Sequence, residues 1–287
     1  MNWIKEYIDQ IDSWKIIAGK KVIDIYKKLL KDAEDKTLPF FFDEKKGERP
    51  IYFIEKFCKQ AEGEIGKPIK LELFQKAYIQ ALFGFINKET KARRFNETLF
   101  LVGRKNGKTT LLSAIALYMM IADGEGGAEC YSVATKKDQA SKSFKSACAM
   151  RTQSPEIRAL VKKRRTDMYM PSTFSSFEPL SSDSDTLDGL NSHLVIIDEL
   201  HAIKDRNLYE VMKQSTSSRK QPLVVMITTA GTIRENIFDD IYTYANNVLD
   251  GTVKNDAFLP VLYELDSPTE WLDMKCWSKA NPRHWYN

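Results

Sequence analysis

The sequence lacks any apolar stretch long enough to cross a membrane. The longest one, residues 111–122, is well short of the roughly 20 residues that span a bilayer. The first residues also contain no apolar core of the kind found in signal peptides. We therefore expect a soluble, intracellular protein that is neither secreted nor bound to a membrane.

Glycine, proline and cysteine are also scarce. With 13 glycines and 10 prolines in 287 residues, and 43% hydrophobic residues, the chain is expected to be ordered and to bury a large core, as one α/β domain or two small ones. The four cysteines, at positions 58, 130, 148 and 276, match no zinc or thioredoxin spacing, which predicts reduced thiols. The formal net charge is only +4, so any interaction with nucleic acid must depend on local clusters.

One stretch, residues 97–121, has the pattern of a phosphate-binding loop between a strand and a helix. Its sequence is ETLFLVGRKNGKTTLLSAIALYMMI, in which an apolar run is followed by a glycine-bearing turn and then by a second apolar run. In such a loop, backbone N–H groups and the positive end of the helix face an anion. We expect Lys108 to reach the β and γ phosphates of a nucleotide and the Thr109 hydroxyl to ligate Mg²⁺.

This loop departs from the usual pattern, which has four residues between its two glycines. Here Gly103 and Gly107 are separated by only three residues, Arg104, Lys105 and Asn106, and a valine stands at position 102, where the first glycine is expected. Taken alone, the loop fits either a phosphate site or a basic turn that caps a helix. A second motif with carboxylates is needed to decide between them.

That second motif is LVIIDE, at residues 194–199. A buried strand would hold Asp198 where it can contact hydrated Mg²⁺, and Glu199 could accept a proton from an attacking water. A strand that ends in a solvated acidic turn is the alternative for this motif by itself. Because both motifs occur together, with room between them for more than one strand and helix unit, we favour an ATPase with an inserted strand.

Two further segments fit around these motifs. PLVVMITTAG, residues 222–231, predicts a strand that ends in Thr228 and Thr229. These threonines could sense the γ phosphate if the strand lies beside the acidic one, and a plain strand end is the alternative. Gln75 lies on a predicted helix at residues 71–86, and its amide offers one donor and one acceptor to adenine, although surface glutamines on helices are common.

The remaining segments give a coarse order of elements. Helices are predicted within residues 3–35, with a break near Gly19, and at 51–62, 135–150 and 237–250, with Thr135 as a possible N-cap. Strands are predicted at 128–134, within 168–180 and at 258–263, and loops at 36–50 and 181–191. The phenylalanines at positions 40–42 are expected to be buried, and residues 266–287 are mixed in character.

Two basic clusters are candidate DNA contacts. One is KARRF, residues 91–95, and the other consists of Arg158, Lys162, Lys163, Arg164 and Arg165. If either cluster contacts DNA, neutralising it would weaken binding in a salt-dependent manner. A solvated helix face is the alternative for the second cluster.

Six segments occur together in this chain: GRKNGKTT at 103–110, LFQ at 73–75, ATKKDQA at 134–140, LVIIDELH at 194–201, ITTAG at 227–231 and WSKANP at 277–282. With them, nearly the whole chain resembles the N-terminal ATPase domain of the large terminase subunit of tailed bacteriophages, the motor that pumps DNA into a procapsid. The resemblance implies an α/β fold, a P-loop NTPase of the RecA/ASCE-like kind. It further implies a central, mostly parallel sheet flanked by helices, plus an N-terminal helical extension.

The resemblance also implies roles for individual residues. Glu199 would be the catalytic base, and Arg104 would act near the γ phosphate as a charge-stabilising catalytic group. Thr109 and Asp198 would hold the metal, and Thr228 with Thr229 would form the coupling motif. The cofactors would be ATP and Mg²⁺, with the nucleotide bound by Gln75, Gly103, Arg104, Lys105, Asn106, Gly107, Lys108, Thr109 and Thr110.

For the domain organisation, the resemblance implies a helical extension at residues 1–62, packed on the core, and a P-loop ATPase domain at 63–265. Residues 266–287 would begin a linker toward a nuclease domain that this chain does not contain, so we expect no DNA cleavage from it. The implied partners are double-stranded DNA, the terminase small subunit and the portal protein. The chain would act in a homo-oligomeric ring on the procapsid, in the cytoplasm of the infected bacterial host.

One position does not match the family. Another branch carries an arginine, proposed to reach into the neighbouring subunit's site, where this chain has Asp188. The candidates for that role here are Arg158, Arg164 and Arg165.

Two other functions remain open. Residues 198–201 spell the DExH pattern of a helicase or translocase lobe, although the second lobe that such enzymes need is lacking. The other is a nucleotide-regulated scaffold that assembles partners with little hydrolysis.

Overall fold

The computed structural model describes residues 1–181, 187, 189–203, 206–229 and 236–283. Its α-helices are α1 (Trp3–Asp12), α2 (Lys20–Glu34), α3 (Glu44–Phe57), α4 (Leu73–Gly84), α5 (Lys108–Ile121), α6 (Lys137–Gln153), α7 (Pro155–Leu160), α8 (Arg206–Gln214) and α9 (Ile237–Leu249). Its strands are β1 (Phe40–Phe42), β2 (Phe85–Asn87), β3 (Glu97–Leu101), β4 (Glu129–Ala134), β5 (Lys162–Lys163), β6 (Met168–Met170), β7 (Ser175–Ser181), β8 (Ser192–Asp198), β9 (Leu223–Thr228) and β10 (Phe258–Leu262). Short 3₁₀ helices lie at Leu200–Ala202, Pro268–Leu272 and Met274–Lys279.

Within these residues, one sheet of eight strands forms the centre, in the order β10–β3–β9–β8–β4–β7–β6–β5. Neighbouring strands are parallel from β10 to β7, and β6 and β5 add an antiparallel edge. Strand β9 lies between the phosphate-loop strand β3 and the acidic strand β8, with Leu101 opposite Thr228 and Asp198 opposite Ile227. The mostly parallel sheet is confirmed. The strand that separates the strands of the two motifs in the sheet is β9, although it follows both motifs in the sequence.

The sheet is buried on both faces. In β3, Phe100 packs into the core on one face, while Leu99 and Leu101 pack into the core on the other. Helices α5, α6 and the N-terminal helices cover the first face, and α8 and α9 cover the second. This three-layer arrangement explains why the central strands are apolar along their whole length and do not alternate.

The N-terminal helices are fixed to the core by a buried glutamine, Gln80 on α4. Its Oε1 accepts hydrogen bonds from the backbone N–H groups of Trp3 and Ile4, at 2.6 and 3.2 Å, and its Nε2 donates to the Met1 carbonyl at 2.8 Å. The first N–H groups of a helix have no partner inside it, so Gln80 caps α1 from a neighbouring helix. The first helix is therefore packed against α4, and the expected boundary of the helical extension at residue 62 stays a prediction.

The first third of the chain differs from the predicted elements. Residues 44–50, expected in a loop, begin α3, because Asp43 accepts a hydrogen bond from the Lys46 N–H at 3.0 Å and caps the helix. The helix includes Pro50 and ends at Phe57, earlier than predicted. The three phenylalanines at 40–42 form β1, which pairs with β2 and is half-buried, so their predicted burial is only partial.

Other elements also need correction. Helix α6 begins at Lys137, so Lys136 occupies the N-cap position that was expected for Thr135. The basic region at 156–165 is not one helix face, since it divides into α7 and β5. Helix α8 is an addition to the predicted elements.

The two arginines of the KARRF cluster are not available to contact DNA. Arg93 and Arg94 are only 8% and 5% exposed. Arg93 pairs with Asp123 and Arg94 with Asp32, each at 2.7 Å. These two arginines hold elements of the fold together, which corrects their interpretation as candidate DNA contacts.

None of the described helices combines the length and the apolar character needed to cross a bilayer. The four cysteines all lie within the described residues and carry free thiols, as predicted.

Candidate active site

The loop between β3 and α5 has a backbone suited to an anion. Lys105 and Gly107 adopt positive φ angles of +63° and +75°, a conformation found in concave anion-binding turns. Helix α5 begins directly afterwards, at Lys108, and no side chain in the described part of the chain caps it. Its first N–H groups and the positive end of its dipole are therefore left for a ligand.

Asn106 holds the loop in shape from inside. Its side chain is almost fully buried, and its Nδ2 donates to the carbonyls of Gly103 and Arg104, both at 3.1 Å. Its Oδ1 accepts from the backbone N–H of Arg283 at 3.0 Å. Because the Asn106 side chain is hydrogen-bonded within the protein, only its backbone is left to contact a nucleotide, and that contact stays a prediction.

The WSKANP segment lies directly under this loop. The Gly103 N–H donates to the Ala280 carbonyl at 2.9 Å, and Asn106 Nδ2 donates to Asn281 Oδ1 at 3.1 Å. A Cβ atom on Gly103 would lie 2.1 Å from Asn281 Oδ1, so the close approach requires a glycine. The sequence predicts a linker here, and nothing in its pattern indicates that Asn281 supports the loop.

Lys108 and Glu199 face each other across the site. Lys108 Nζ lies 3.8 Å from Glu199 Oε1. Within the described residues, neither Lys108 Nζ nor Glu199 Oε2 has a hydrogen-bond partner, although both atoms are buried. Burial lowers the pKa of Lys108, against the opposing effect of Glu199 and Asp198. Because buried polar atoms without partners are costly, the arrangement indicates a place for a ligand.

Asp198 and Glu199 end the acidic strand in different environments. Asp198 is the last residue of β8, and burial together with the adjacent Glu199 raises its pKa to about 6. Glu199 has a φ of +56°, a backbone conformation that costs roughly 1–3 kcal/mol for such a residue and is often found at functional sites. The structure thus brings both acids beside Lys108, and their individual roles remain predictions.

The end of β9 lies beside the turn that carries Glu199. Thr228 is fully buried, and its hydroxyl donates to the Thr229 carbonyl at 2.9 Å. The same hydroxyl is 2.7 Å from His201 Nδ1. The two predicted coupling residues are therefore tied to the acidic turn through His201, while residues 230–231 of the ITTAG motif lie outside the described residues.

A cleft of about 890 Å³ opens beside the loop, a size suited to a small-molecule ligand. Its lining includes Gln75, Gly107, Thr109 and Thr110. Gln75 Oε1 accepts from the Glu72 N–H at 3.0 Å, and its Nε2 donates to the Asn106 carbonyl at 3.4 Å. The amide connects α4 to the loop at the edge of the cleft, and its contact with adenine remains a prediction.

Basic side chains surround the entrance. Arg104 and Lys105 are exposed on the loop, and the charge of Arg104 helps to lower the pKa of Lys108 after the larger effect of burial. Lys142 and Lys145, on α6, line the cleft, and Lys142 partly offsets the rise in the pKa of Asp198. The sequence analysis missed these two lysines, whose only signal was that they stand three residues apart, about one helical turn, on a predicted helix.

The three arginines that are candidates to act on a neighbouring subunit lie in different environments. Arg164 is held by Asp167 through contacts of 2.9 Å from its Nε and 2.5 Å from its Nη2. Arg158 and Arg165 are exposed. Asp188 lies outside the described residues.

A metal would have to arrive with a ligand. Among the residues that the structure describes, no group of three or more His, Cys, Asp or Glu side chains could hold a metal ion. Mg²⁺ is commonly held by one or two carboxylates together with phosphate oxygens and water. Asp198 and the Thr109 hydroxyl fit such an ion if a nucleotide supplies the phosphate oxygens.

Comparison with known proteins covers most of this site. Residues 73–247, more than half of the chain, match the family model described as terminase large subunit, ATPase domain. This range includes the loop, the acidic turn, the end of β9 and Gln75.

Relatives with curated descriptions match over a similar range. The terminase large subunit of Enterobacteria phage HK97 is 25% identical over 244 residues, which are 83% of this chain and 46% of that protein. The terminase large subunit of Lactococcus phage p2 is 25% identical over 227 residues, covering 76% of this chain and 42% of that protein. Protein YmfN of Escherichia coli (strain K12) is 35% identical over 95 residues, 33% of this chain and 21% of that protein. The chain thus spans about half, or less, of the length of these relatives.

A solved structure shares the fold. The crystal structure of the HK97 bacteriophage large terminase superposes with a TM-score of 0.71 at 22% identity, covering 83% of this chain and 48% of that chain.

Proposed function

This chain belongs to the terminase large subunit ATPase family, and from that membership we propose that it is the ATP-hydrolysing part of a motor that moves double-stranded viral DNA into a procapsid. The observation that supports this most directly is that Lys108 and Glu199 face each other, and that the buried atoms Lys108 Nζ and Glu199 Oε2 have no hydrogen bond within the described residues. Phosphate oxygens would give Lys108 the partners it lacks. The family membership itself makes the chain an ATP hydrolase.

The phosphates bind at the start of α5. Backbone N–H groups of the loop and the helix dipole attract the β and γ phosphates, and Lys108 adds its charge from inside the site. Thr110 stands in the first turn of the helix and Arg104 on the exposed side of the loop, where it can stabilise charge that develops on the γ phosphate. The Asn106 side chain keeps the loop in this shape.

Hydrolysis requires a base opposite these phosphates. We assign this role to Glu199, because it lies close to Lys108 and its Oε2, which has no hydrogen bond within the described residues, could take a proton from water. Asp198 and Thr109 hold Mg²⁺, which neutralises charge on the phosphate oxygens when it is bound. The nucleoside occupies the cleft beside the loop, with Gln75 at its edge.

The wider function rests on the family. We infer that the chain acts in the cytoplasm of an infected bacterium, in a homo-oligomeric ring that contacts the portal protein, the terminase small subunit and DNA. Thr228 and Thr229 would pass the state of the nucleotide from β9 to the rest of this assembly. The exposed Arg158, Lys162 and Arg165 are the better candidates for contact with DNA phosphates, because Arg93 and Arg94 are buried and paired.

A single-turnover assay of ATP hydrolysis with Mg²⁺ tests the enzymatic part of the proposal. We expect Lys108→Ala to weaken nucleotide binding and abolish hydrolysis. Glu199→Gln should bind nucleotide but hydrolyse it about 10² to 10⁴ times more slowly. Glu210→Gln, which changes a partly exposed glutamate on α8, serves as the control for the loss of one carboxylate.

The results distinguish three functions. Hydrolysis that survives both Lys108→Ala and Glu199→Gln would place the active site elsewhere. A wild-type chain that binds ATP but hydrolyses it no faster than Glu199→Gln would favour the scaffold. The family match does not favour the helicase alternative, and duplex unwinding by this chain would revive it.

A further inference from the structure

His201 lies between the two parts of the site that the proposed function needs to connect. It belongs to the short 3₁₀ helix that follows Glu199, and its side chain is largely buried. Its Nδ1 is 2.7 Å from Thr228 Oγ1 and 3.2 Å from Glu199 Oε2. One ring nitrogen is therefore within reach of both the expected base and the expected coupling residue.

The hydrogen bonds around Thr228 identify the tautomer of His201. The Thr228 hydroxyl has one hydrogen, which it donates to the Thr229 carbonyl at 2.9 Å. In this arrangement Thr228 accepts at the 2.7 Å contact with His201, and His201 Nδ1 carries the hydrogen. The nearby Glu199 carboxylate favours the same tautomer, because an unprotonated Nδ1 would place two acceptors 3.2 Å apart.

A single N–H cannot form two full hydrogen bonds at once. In this structure the hydrogen of Nδ1 is directed to Thr228, and Glu199 Oε2 is left without a hydrogen bond. A small movement of the Glu199 carboxylate would bring Oε2 into competition with Thr228 for the same hydrogen. The position of the carboxylate is thereby linked to the end of β9.

The backbone around His201 is held by hydrogen bonds that do not involve the imidazole. The His201 N–H donates to Thr228 Oγ1 at 3.3 Å, and its carbonyl accepts from Asn236 Nδ2 at 3.1 Å. The adjacent Ala202 carbonyl accepts from Thr135 Oγ1 at 3.2 Å. Since the backbone of the turn is held from three other elements, the imidazole can be removed without removing the turn.

We propose that His201 is a positioning residue for hydrolysis: its Nδ1–H, directed to Thr228 in this structure, passes to Glu199 Oε2 when nucleotide is bound and orients the carboxylate toward the attacking water. This inference rests on the proposed ATPase function and gives a role to a residue of the LVIIDELH segment to which the sequence analysis assigned none. His201 does not exchange a proton with the substrate. Its effect is confined to the orientation of Glu199 and to the link between β8 and β9.

Three substitutions separate this role from a general loss of structure. Asparagine carries its amide nitrogen on Cγ, as histidine carries Nδ1, so His201→Asn keeps a donor at the required place. Glutamine carries its amide nitrogen one atom further out, near the place of Nε2, so His201→Gln keeps a polar side chain but misplaces the donor. His201→Ala removes the donor altogether.

The experiment measures single-turnover ATP hydrolysis with Mg²⁺, the nucleotide dissociation constant and the melting temperature for each variant of this chain. We expect the hydrolysis rate to fall about 10- to 100-fold in His201→Ala and His201→Gln, because a misplaced catalytic group costs a factor of this order. His201→Asn should remain within a few-fold of wild type. The nucleotide dissociation constant and the melting temperature should change little in all three.

A double-mutant cycle tests the link to β9. If His201 acts through Thr228, His201→Ala will slow hydrolysis much less in the Thr228→Val background than in wild type, since the connection through the imidazole is already broken there. Effects that multiply independently would overturn the connection to Thr228.

Other outcomes would overturn the role of His201 itself. These are wild-type hydrolysis in His201→Ala, equal rates in the asparagine and glutamine variants, or a loss of nucleotide binding in parallel with the rate. If Glu199→Gln slows hydrolysis while the His201 variants do not, only this inference fails. If Glu199→Gln has no effect either, the proposed function fails with it.

Discussion

Buried charges are arranged differently at the two ends of the parallel strands in the central sheet. We call the end where the strands begin the amino edge and the end where they finish the carboxyl edge. At the amino edge, Asp123 accepts from Arg93 at 2.7 Å and lies 2.8 Å from His193 Nε2. At the carboxyl edge, Lys108 Nζ stands 3.8 Å from Glu199 and has no hydrogen bond within the described residues. The same fold therefore contains one charge cluster in close contact and another held apart.

The difference separates what stabilises the fold from what is left for a ligand. Two opposite charges that are in direct contact and out of water stabilise each other. Removing one of them leaves the other buried without a counter-charge, which destabilises the folded protein. Charges held apart without hydrogen bonds lower the stability of the free protein, and a bound nucleotide can offset that cost. Substitutions at the two edges should consequently change stability with opposite signs.

The largest expected effect is at the amino edge. Asp123→Asn leaves Arg93 buried without its anion, so we expect a loss of about 3–5 kcal/mol in the free energy of unfolding, measured by urea denaturation. Hydrolysis by the molecules that remain folded should be close to wild type, because Asp123 lies at the opposite edge from the site. The control is Asp9→Asn, which removes an exposed ion pair with Lys5 and should barely change the curve. Unchanged denaturation of Asp123→Asn would contradict the contrast between the edges.

A smaller effect of opposite sign is expected at the carboxyl edge. Burial and the neighbouring Glu199 raise the pKa of Asp198 to about 6 from 3.8, so its ionised form destabilises the folded chain by about 1–3 kcal/mol at neutral pH. Asp198→Asn should therefore raise the melting temperature, measured without nucleotide and with a chelator, while hydrolysis is lost. A lower melting temperature would show that Asp198 supports the fold.

The two carboxyl groups should also respond differently to acid. Burial alone would raise the pKa of Asp123, but Arg93 and His193 outweigh it and lower the pKa below 3.8, so the stability that Asp123 contributes is lost only as the pH falls below this value. For Asp198 the folded pKa is raised, so the chain gains stability as the pH falls from about 6 toward 3.8. The free energy of unfolding should be measured by denaturation from pH 3 to 8. In Asp123→Asn it should no longer decrease below pH 3.8, and in Asp198→Asn it should no longer increase as the pH falls from about 6. Identical pH profiles in both variants would contradict this assignment.

The carboxyl edge could largely be predicted from the sequence, because its signals are local. The loop before α5, the acids after β8 and the threonines after β9 each follow an apolar strand directly, and parallel strands bring such ends together. The amino edge could not be predicted in this way. Asp123 and Arg93 are ordinary residues in ordinary segments, and only the fold shows that they meet.

The same limit explains the errors at individual residues. A basic pair such as Arg93 and Arg94 has the sequence pattern of a surface cluster, and burial depends on partners elsewhere in the chain. Asn281 lies against Gly103 and His201 contacts Thr228, and the two residues of each pair are far apart in sequence. No periodicity or spacing encodes such contacts.

The smallest expected effect concerns the two basic clusters, which repeat the contrast between charge used for folding and charge left free. Lys162 and Arg165 are exposed at the end of the sheet formed by β5 and β6, and neutralising both with alanine should leave the melting temperature unchanged. If both side chains bind DNA phosphates, the slope of log affinity against log salt should fall by roughly 2, at about 0.9 for each phosphate that is no longer neutralised. The matched control neutralises Lys5 and Lys28, which are exposed on α1 and α2, and changes the net charge equally. If the salt dependence changes equally in both double variants, DNA affinity depends only on the net charge of the chain. The cluster around Lys162 and Arg165 would then not be the DNA-binding face.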